Sequence, residues 1–309
     1  IALGLEGLRR QDGIHAAAIV ISPETITKFL PIQQKGSNAE IVTQYEMHTV
    51  EQLGLLKMDF LGLRNLSIVD RTLELIGSES LDIDNLKLDD EKTFKLFAEG
   101  KMTGVFQLES RVAQSTSRSL KPKRFEDIVA LVALIRPGPL GAGMHNEFAD
   151  RANNRKEIEY LHSDLESILN ETYGVILYQE QVMQIAEKIA GFNLQEADNL
   201  RVAMGKKIPK VMEEQRKKFT DGAVSNNYSE QFAIELFDQI AYFAGYGFNK
   251  SHSVPYALLA YQTAYLKANY PAEYIAACLT AVKRDKDRTA IFLSEARDMG
   301  VKVSTPDIN

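Results

Sequence analysis

A single cysteine, Cys278, and no tryptophan occur among the 309 residues. One thiol excludes an internal disulfide and suits a reducing cytoplasm, which is the compartment we expect. The five histidines show no metal-ligand spacing among themselves. No apolar run approaches the length of a bilayer span and no signal peptide is found, so no membrane partner is expected. There is no surplus of positive charge either. The net charge is −6, so any nucleic-acid binding must come from a local basic face. Internal repeats and low-complexity segments are lacking as well.

What is present is an ordinary globular composition, 45% hydrophobic and 25% charged. The length suffices for one large domain or two ordinary ones. The chain begins at Ile1 inside what reads as an element, so we expect an excerpt of something longer.

The first 62 residues read as mixed α/β. His15–Ser22 and Ile41–Tyr45 have strand character, with Gln33–Asn38 as a polar loop between them. Leu55–Phe60 reads as a third strand, buried, with Gly62 ending it. A carboxylate in a buried strand is costly unless paired or bound to a cation, which makes Asp59 a site candidate. Its alternative is a cap for the next helix or a partner for Lys57, and on local sequence both readings stay open.

From Arg64 the character becomes helical. Leu66, Val69, Leu73 and Ile76 recur at helical spacing up to Gly77. Further helices are expected over Glu91–Glu99, Phe125–Leu134, Ser163–Asn170, Gln179–Ala190, Leu194–Met204 and Pro209–Ala223. Four more follow over Ser229–Phe243, Pro255–Asn269, Ala272–Val282 and Asp287–Met299. Asp82-Ile83-Asp84 invites a metal reading, but it sits in a polar loop and is rejected as a site.

Four stretches have chemical potential. Ile135–Met144 carries two prolines and three glycines behind Arg136, which either serves the helix dipole or points at an anion. Tyr178, Gln179 and Gln181 lie at the start of a helix whose stripe of Val182, Ile185, Ala186 and Ile189 is core. Between Arg201 and Lys218 seven basic residues face two acids, a local excess of five charges that suits phosphate. A solvated helix face is the plainer reading of such a run. Gly245–Ser253 is a glycine-rich loop opening a helix, where free N–H groups favour phosphate. Asn249 stands where a Walker glycine would be, so the Lys250-Ser251 pair is no P-loop. His252 reads by default as a helix cap.

The motifs Lys57–Arg64, Gly104–Ser110, Phe125–Leu131, Arg136–Pro139, Thr172–Gly174, Tyr178–Gln181, Ala203–Lys207 and Phe248–His252 together resemble the bacterial replicative DNA polymerase III alpha subunit, the C family. They occur in that family's order and cover essentially the whole chain. The resemblance implies an α+β, mainly α-helical chain. Residues 1–64 would be the C-terminal part of a nucleotidyltransferase-type palm with a mixed sheet, and 65–309 a helical fingers domain incomplete at its C-terminus.

The same resemblance implies template-directed DNA synthesis by two-metal nucleotidyl transfer. Asp59 matches the third catalytic aspartate and would bind Mg2+, while the other two lie outside the chain. The excerpt alone is therefore expected to be inactive. The dNTP, phosphate and primer candidates are Lys57, Arg136, Tyr178, Gln179, Arg201, Lys206, Lys207, Lys250, Ser251 and His252. Implied partners are primer–template DNA, dNTPs and other replicase subunits, with the sliding clamp held through regions not in this chain. Three places depart from the family pattern: Arg111-Val112-Ala113-Gln114, Arg201-Val202 and Val254-Pro255. They keep two alternatives open, a non-catalytic relic that binds DNA or nucleotide and an error-prone repair paralogue.

Overall fold

The computed structural model describes residues 2–8, 11–34, 36–37, 39–77, 81–206, 209–244 and 247–305. The chain divides into two compact units, Ile1–Arg64 and Asn65–Asn309. The first holds, in order, α1 (Ala2–Leu5), β1 (Ala18–Ile21), β2 (Ile32–Gln34), β3 (Ile41–Thr43), α2 (Met47–Gln52) and β4 (Leu56–Asp59). β1 pairs antiparallel with β4, setting Ala18 opposite Asp59 and Ile21 opposite Leu56. β2 pairs antiparallel with β3, with Ile32 opposite Thr43. The mixed sheet expected from the resemblance is thus represented, among the described residues, by two antiparallel ribbons. Glu46 starts α2 by accepting from the His48 and Thr49 amides at 2.9 Å each.

Two expectations change here. The stretch read as a polar loop begins as β2, because Ile32 packs against the small core of Leu30, Val50 and Leu55. The strand read as buried is not: Leu56 is 54% exposed, Met58 39% and Phe60 59%. A two-stranded ribbon over so thin a core leaves one face without a covering layer.

The second unit is helical. α3 (Arg64–Ile76) leads into it, followed by α4 (Glu91–Glu99), α5 (Arg111–Leu120), α6 (Phe125–Leu134), α7 (Pro137–Gly141), α8 (Met144–Ala152) and α9 (Glu166–Leu169). Then come α10 (Gln179–Ala190), α11 (Leu194–Lys206), α12 (Pro209–Ser225), α13 (Glu230–Ala244), α14 (Lys250–Asn269), α15 (Pro271–Ala281) and α16 (Lys286–Asp298). The helix expected over Ser163–Asn170 is a composite, with 3-10 turns on both sides of α9.

α6 is buried along Asp127–Leu134, which its nearly unbroken apolar run dictates. It packs with α4, α5 and α14 through Phe97, Leu120, Ile128 and Tyr261. α10 to α13 bury Ile185, Leu200, Phe219 and Leu236 in a second core. α14 also reaches a third, where Leu266 meets Tyr274 and Phe292. One long helix therefore ties two cores together.

α14 starts five residues before its expected start at Pro255. Asn249 accepts from the His252 amide at 3.0 Å and so caps the earlier start, and the proline lies within the helix.

Candidate functional site

In the first unit Lys57 and Asp59 both belong to β4, two residues apart, so both side chains leave the same side of the strand. The Lys57 ammonium donates to both Asp59 oxygens, at 2.8 and 2.9 Å. The His15 Nδ1 stands 3.8 Å from the same carboxylate. The hydrogen bond from Lys57, aided by the charges of Lys57 and His15, holds the Asp59 carboxyl below the usual range. Its side chain is 49% exposed, so it is an ionised and accessible oxygen donor. Asp82 instead closes a turn, accepting from the Asp84 amide at 3.1 Å and Asn85 Nδ2 at 2.7 Å. Among the described residues no three metal-ligating side chains cluster.

In the second unit the sequence candidates converge on the N-terminus of α14. A short parallel bridge joins Tyr178 to Phe248, with the Gln179 amide donating to the Phe248 carbonyl at 3.0 Å. This bridge brings the start of α10 against the start of α14. The Gln179 side-chain Nε2 donates to the Gly247 carbonyl at 3.2 Å, and its Oε1 accepts from Arg201 at 3.4 Å. Arg201 is also paired with Asp198 at 2.8 Å. The Arg136 guanidinium lies 3.6 Å from the centre of the Phe248 ring, and partial burial lowers its pKa. Phe248 meets His252 edge-on at 5.4 Å, and His252 lies against Tyr256 at 4.2 Å.

The anion position expected at this helix start is filled from within. The Glu180 carboxylate accepts from the Lys250 amide at 2.9 and 3.0 Å and from the Ser251 amide at 3.3 Å. The Lys250 ammonium donates to Glu171 at 2.6 Å and lies 5.5 Å from the Tyr178 ring centre. Sequence reasoning missed both carboxylates. Glu171 adjoins the Thr172-Tyr173-Gly174 motif and Glu180 lies inside the Tyr178–Gln181 motif, so their position in the motifs was the available signal.

Three further expectations are corrected. His252 is not the cap; the Asn249 side chain is, because it alone precedes the first turn. Tyr178 is 2% exposed and belongs to the core, and burial drives its hydroxyl pKa far upward. Its ring presents no face to a ligand. The basic run is also less bare than its charge implies: Arg216 pairs with Asp238, and Lys218 with Glu196 at 2.8 Å. Lys206 ends α11, while its side chain and all of Lys207 lie outside the described residues. At the departures from the family pattern, Val202 is 36% and Val254 38% exposed. Gln114 donates to the Glu109 carbonyl at 2.9 Å.

Residues 65–227 match the family model of the bacterial DNA polymerase III alpha subunit finger domain. Residues 1–62 match that of the bacterial DNA polymerase III alpha NTPase domain. The DNA polymerase III subunit alpha of Mycobacterium tuberculosis H37Rv is 46% identical over 315 aligned positions, covering 100% of this chain and 27% of the relative. That of Escherichia coli K12 is 47% identical over 321, with 100% and 28% covered. That of Buchnera aphidicola is 47% identical over 323, again with 100% and 28% covered. The chain thus spans just over a quarter of the length of these relatives.

Proposed function

This chain belongs to the bacterial DNA polymerase III alpha-subunit family, and on that premise we propose that it forms part of a template-directed DNA polymerase. The observation that carries the reading is 46–47% identity along the entire chain to subunits of that name. Residues 1–64 are read as the C-terminal part of the palm and 65–309 as the fingers. Cytoplasmic location goes with that role; among the described residues no helix is long and apolar enough to cross a membrane.

Asp59 fits a metal-binding role in its donor chemistry: it is an exposed, ionised carboxylate at the end of a strand. Mg2+ takes such oxygen ligands in tight octahedral geometry. Asp59 would supply one ligand, with the others coming from elsewhere in the full-length protein. When bound, a pair of such ions activates the primer 3′ hydroxyl and draws charge from the triphosphate.

The remaining steps belong to the chain's own side chains. Lys57 keeps Asp59 ionised and is read as a contact for the primer end or phosphates. Arg136, Arg201, Lys206, Lys207 and Lys250 are read as the cations that hold the triphosphate and stabilise the leaving pyrophosphate. Gln179, Ser251 and His252 add neutral or titratable donors on the same surface. Tyr178 acts by holding the starts of α10 and α14 together rather than by touching a nucleotide. Base choice comes from pairing with the template, and the DNA, dNTP and replicase partners follow from the family.

The test is primer extension by the full-length protein with Mg2+. Asp59→Asn should abolish extension while leaving DNA affinity nearly unchanged. Undiminished extension by this variant would remove Asp59 from the site. No extension by the unaltered protein would remove the polymerase reading itself.

A further inference from the structure

Five described residues other than glycine adopt positive φ: Gln107, Lys121, Asn154, Tyr173 and Asn227. Four of these follow helix or 3-10 ends, where a left-handed residue closes the last turn. Gln107 does not. Its φ of 61° falls at the third position of a turn closed by the Leu108 amide on the Val105 carbonyl at 3.2 Å. Glycine or asparagine is the usual occupant where such a turn needs positive φ.

The turn is fixed from several sides. The buried Thr263 hydroxyl accepts from the Phe106 amide at 3.1 Å. The Tyr274 hydroxyl donates to the Gly104 carbonyl at 2.7 Å, and Glu109 accepts from the Gly104 amide at 2.8 Å. The fully buried Lys267 ammonium donates to the carbonyls of Lys101 and Thr103, at 2.6 and 2.8 Å. Val105, Phe106 and Leu108 are buried, while the Gln107 side chain between them is exposed. So much anchoring around one displayed, unfavourably held amide points to use of that amide. Rings link the turn to the candidate site: the Phe106 ring lies 5.4 Å from that of Tyr256, which lies against His252.

We infer that Gln107 donates a hydrogen bond from its side-chain amide to the minor-groove edge of the primer–template duplex. The inference rests on the polymerase reading and deepens it. A neutral amide adds little to phosphate binding, which cations dominate. In the minor groove, by contrast, A·T and T·A pairs present the same purine N3 and pyrimidine O2 acceptors. A donor aimed there checks the shape of a pair without asking for a sequence, as template-directed synthesis requires.

The experiment uses the full-length protein with Gln107→Gly, which relieves the backbone while removing the amide. Single-nucleotide extension is measured on natural DNA and on duplexes carrying 3-deazaadenine at each of the first few primer positions in turn. The variant should lose about tenfold in kcat/KM on natural DNA, the scale of one hydrogen bond, with no fall in Tm. At one position 3-deazaadenine should cost the unaltered protein a similar factor and the variant nothing more. Normal extension by Gln107→Gly overturns the contact. So does equal sensitivity of both proteins to 3-deazaadenine at every position, which would place the amide on a phosphate or in a structural role. No extension by the unaltered protein overturns the polymerase reading, and this contact with it.

Discussion

Lys267→Met is the sharpest test of how the second unit is held together. The lysine is fully buried in α14, and its ammonium meets Glu295 at 2.6 Å besides the Lys101 and Thr103 carbonyls. Burial lowers its pKa, and Glu295 only partly offsets that. Methionine keeps the volume but strands one nearly buried carboxylate and two carbonyls. Removing one partner of a buried pair costs about 3–5 kcal/mol. For a unit of this size that is a fall in Tm of about 6–20 °C. Thermal unfolding followed by circular dichroism reads the shift, and hydrogen exchange should show residues 101–108 losing protection. Lys267→Met with Glu295→Leu should recover much of the loss, because the unpaired carboxylate has gone. A single-variant loss below about 1 kcal/mol, or a double variant less stable than the single, would refute the reasoning.

Two further perturbations probe the scaffold. Gln181 is buried, accepts from the amides of Leu177 and Tyr178, and donates to Thr172 Oγ1 and the Ile168 carbonyl. Gln181→Leu should therefore cost about 2–4 kcal/mol in urea unfolding, and an effect within 0.5 kcal/mol would contradict this network. Asp90 caps α4; burial raises its pKa, but hydrogen bonds from Thr93 and Asn269 outweigh that and leave it below the ordinary aspartate value. The folded state thus binds this proton less readily than the unfolded chain does. Its stabilisation is full above the unfolded value and is lost as pH falls through the folded one. Asp90→Asn should accordingly be the less stable protein at neutral pH, with the gap closing as pH falls below the ordinary aspartate range. A gap that does not change with pH would show that the charge is irrelevant there.

Legibility in the sequence followed how much each element depends on its own residues. Phe125–Leu134 and Gln179–Ala190 have in the structure the bounds their sequence predicts, because an apolar run or stripe and local stop signals define them. α5 was invisible, since its buried face is Ala113, Thr116, Ser117 and Leu120, mostly small and polar. Only the fold supplies the Phe97 carbonyl that takes the Ser117 hydroxyl at 2.7 Å. The candidate cations are visible in the sequence, and so is the i,i+3 spacing that pairs Arg201 with Asp198 on α11, whereas Glu171 and Glu180 become partners of Lys250 only through topology. The burial of Tyr178 is hidden for a related reason: the apolar run Val175–Leu177 carries it into the core, which its polar tip disguises. Lys267 gave no sign of its role, because its acceptors come from a distant loop and from α16.

The Glu180 carboxylate seated on α14 makes this helix end behave like a loaded ion exchanger rather than an empty trap. An anion arriving there must evict a tethered carboxylate that already satisfies the Lys250 and Ser251 amides. Its net gain is a difference between two strong interactions, not the full strength of one. Single small anions gain little from such a swap. A ligand carrying several linked charges, able to hold Arg201 or Arg136 at the same time, gains from each extra contact. The internal counterion thereby sets a threshold of valence for anything that binds at this helix end.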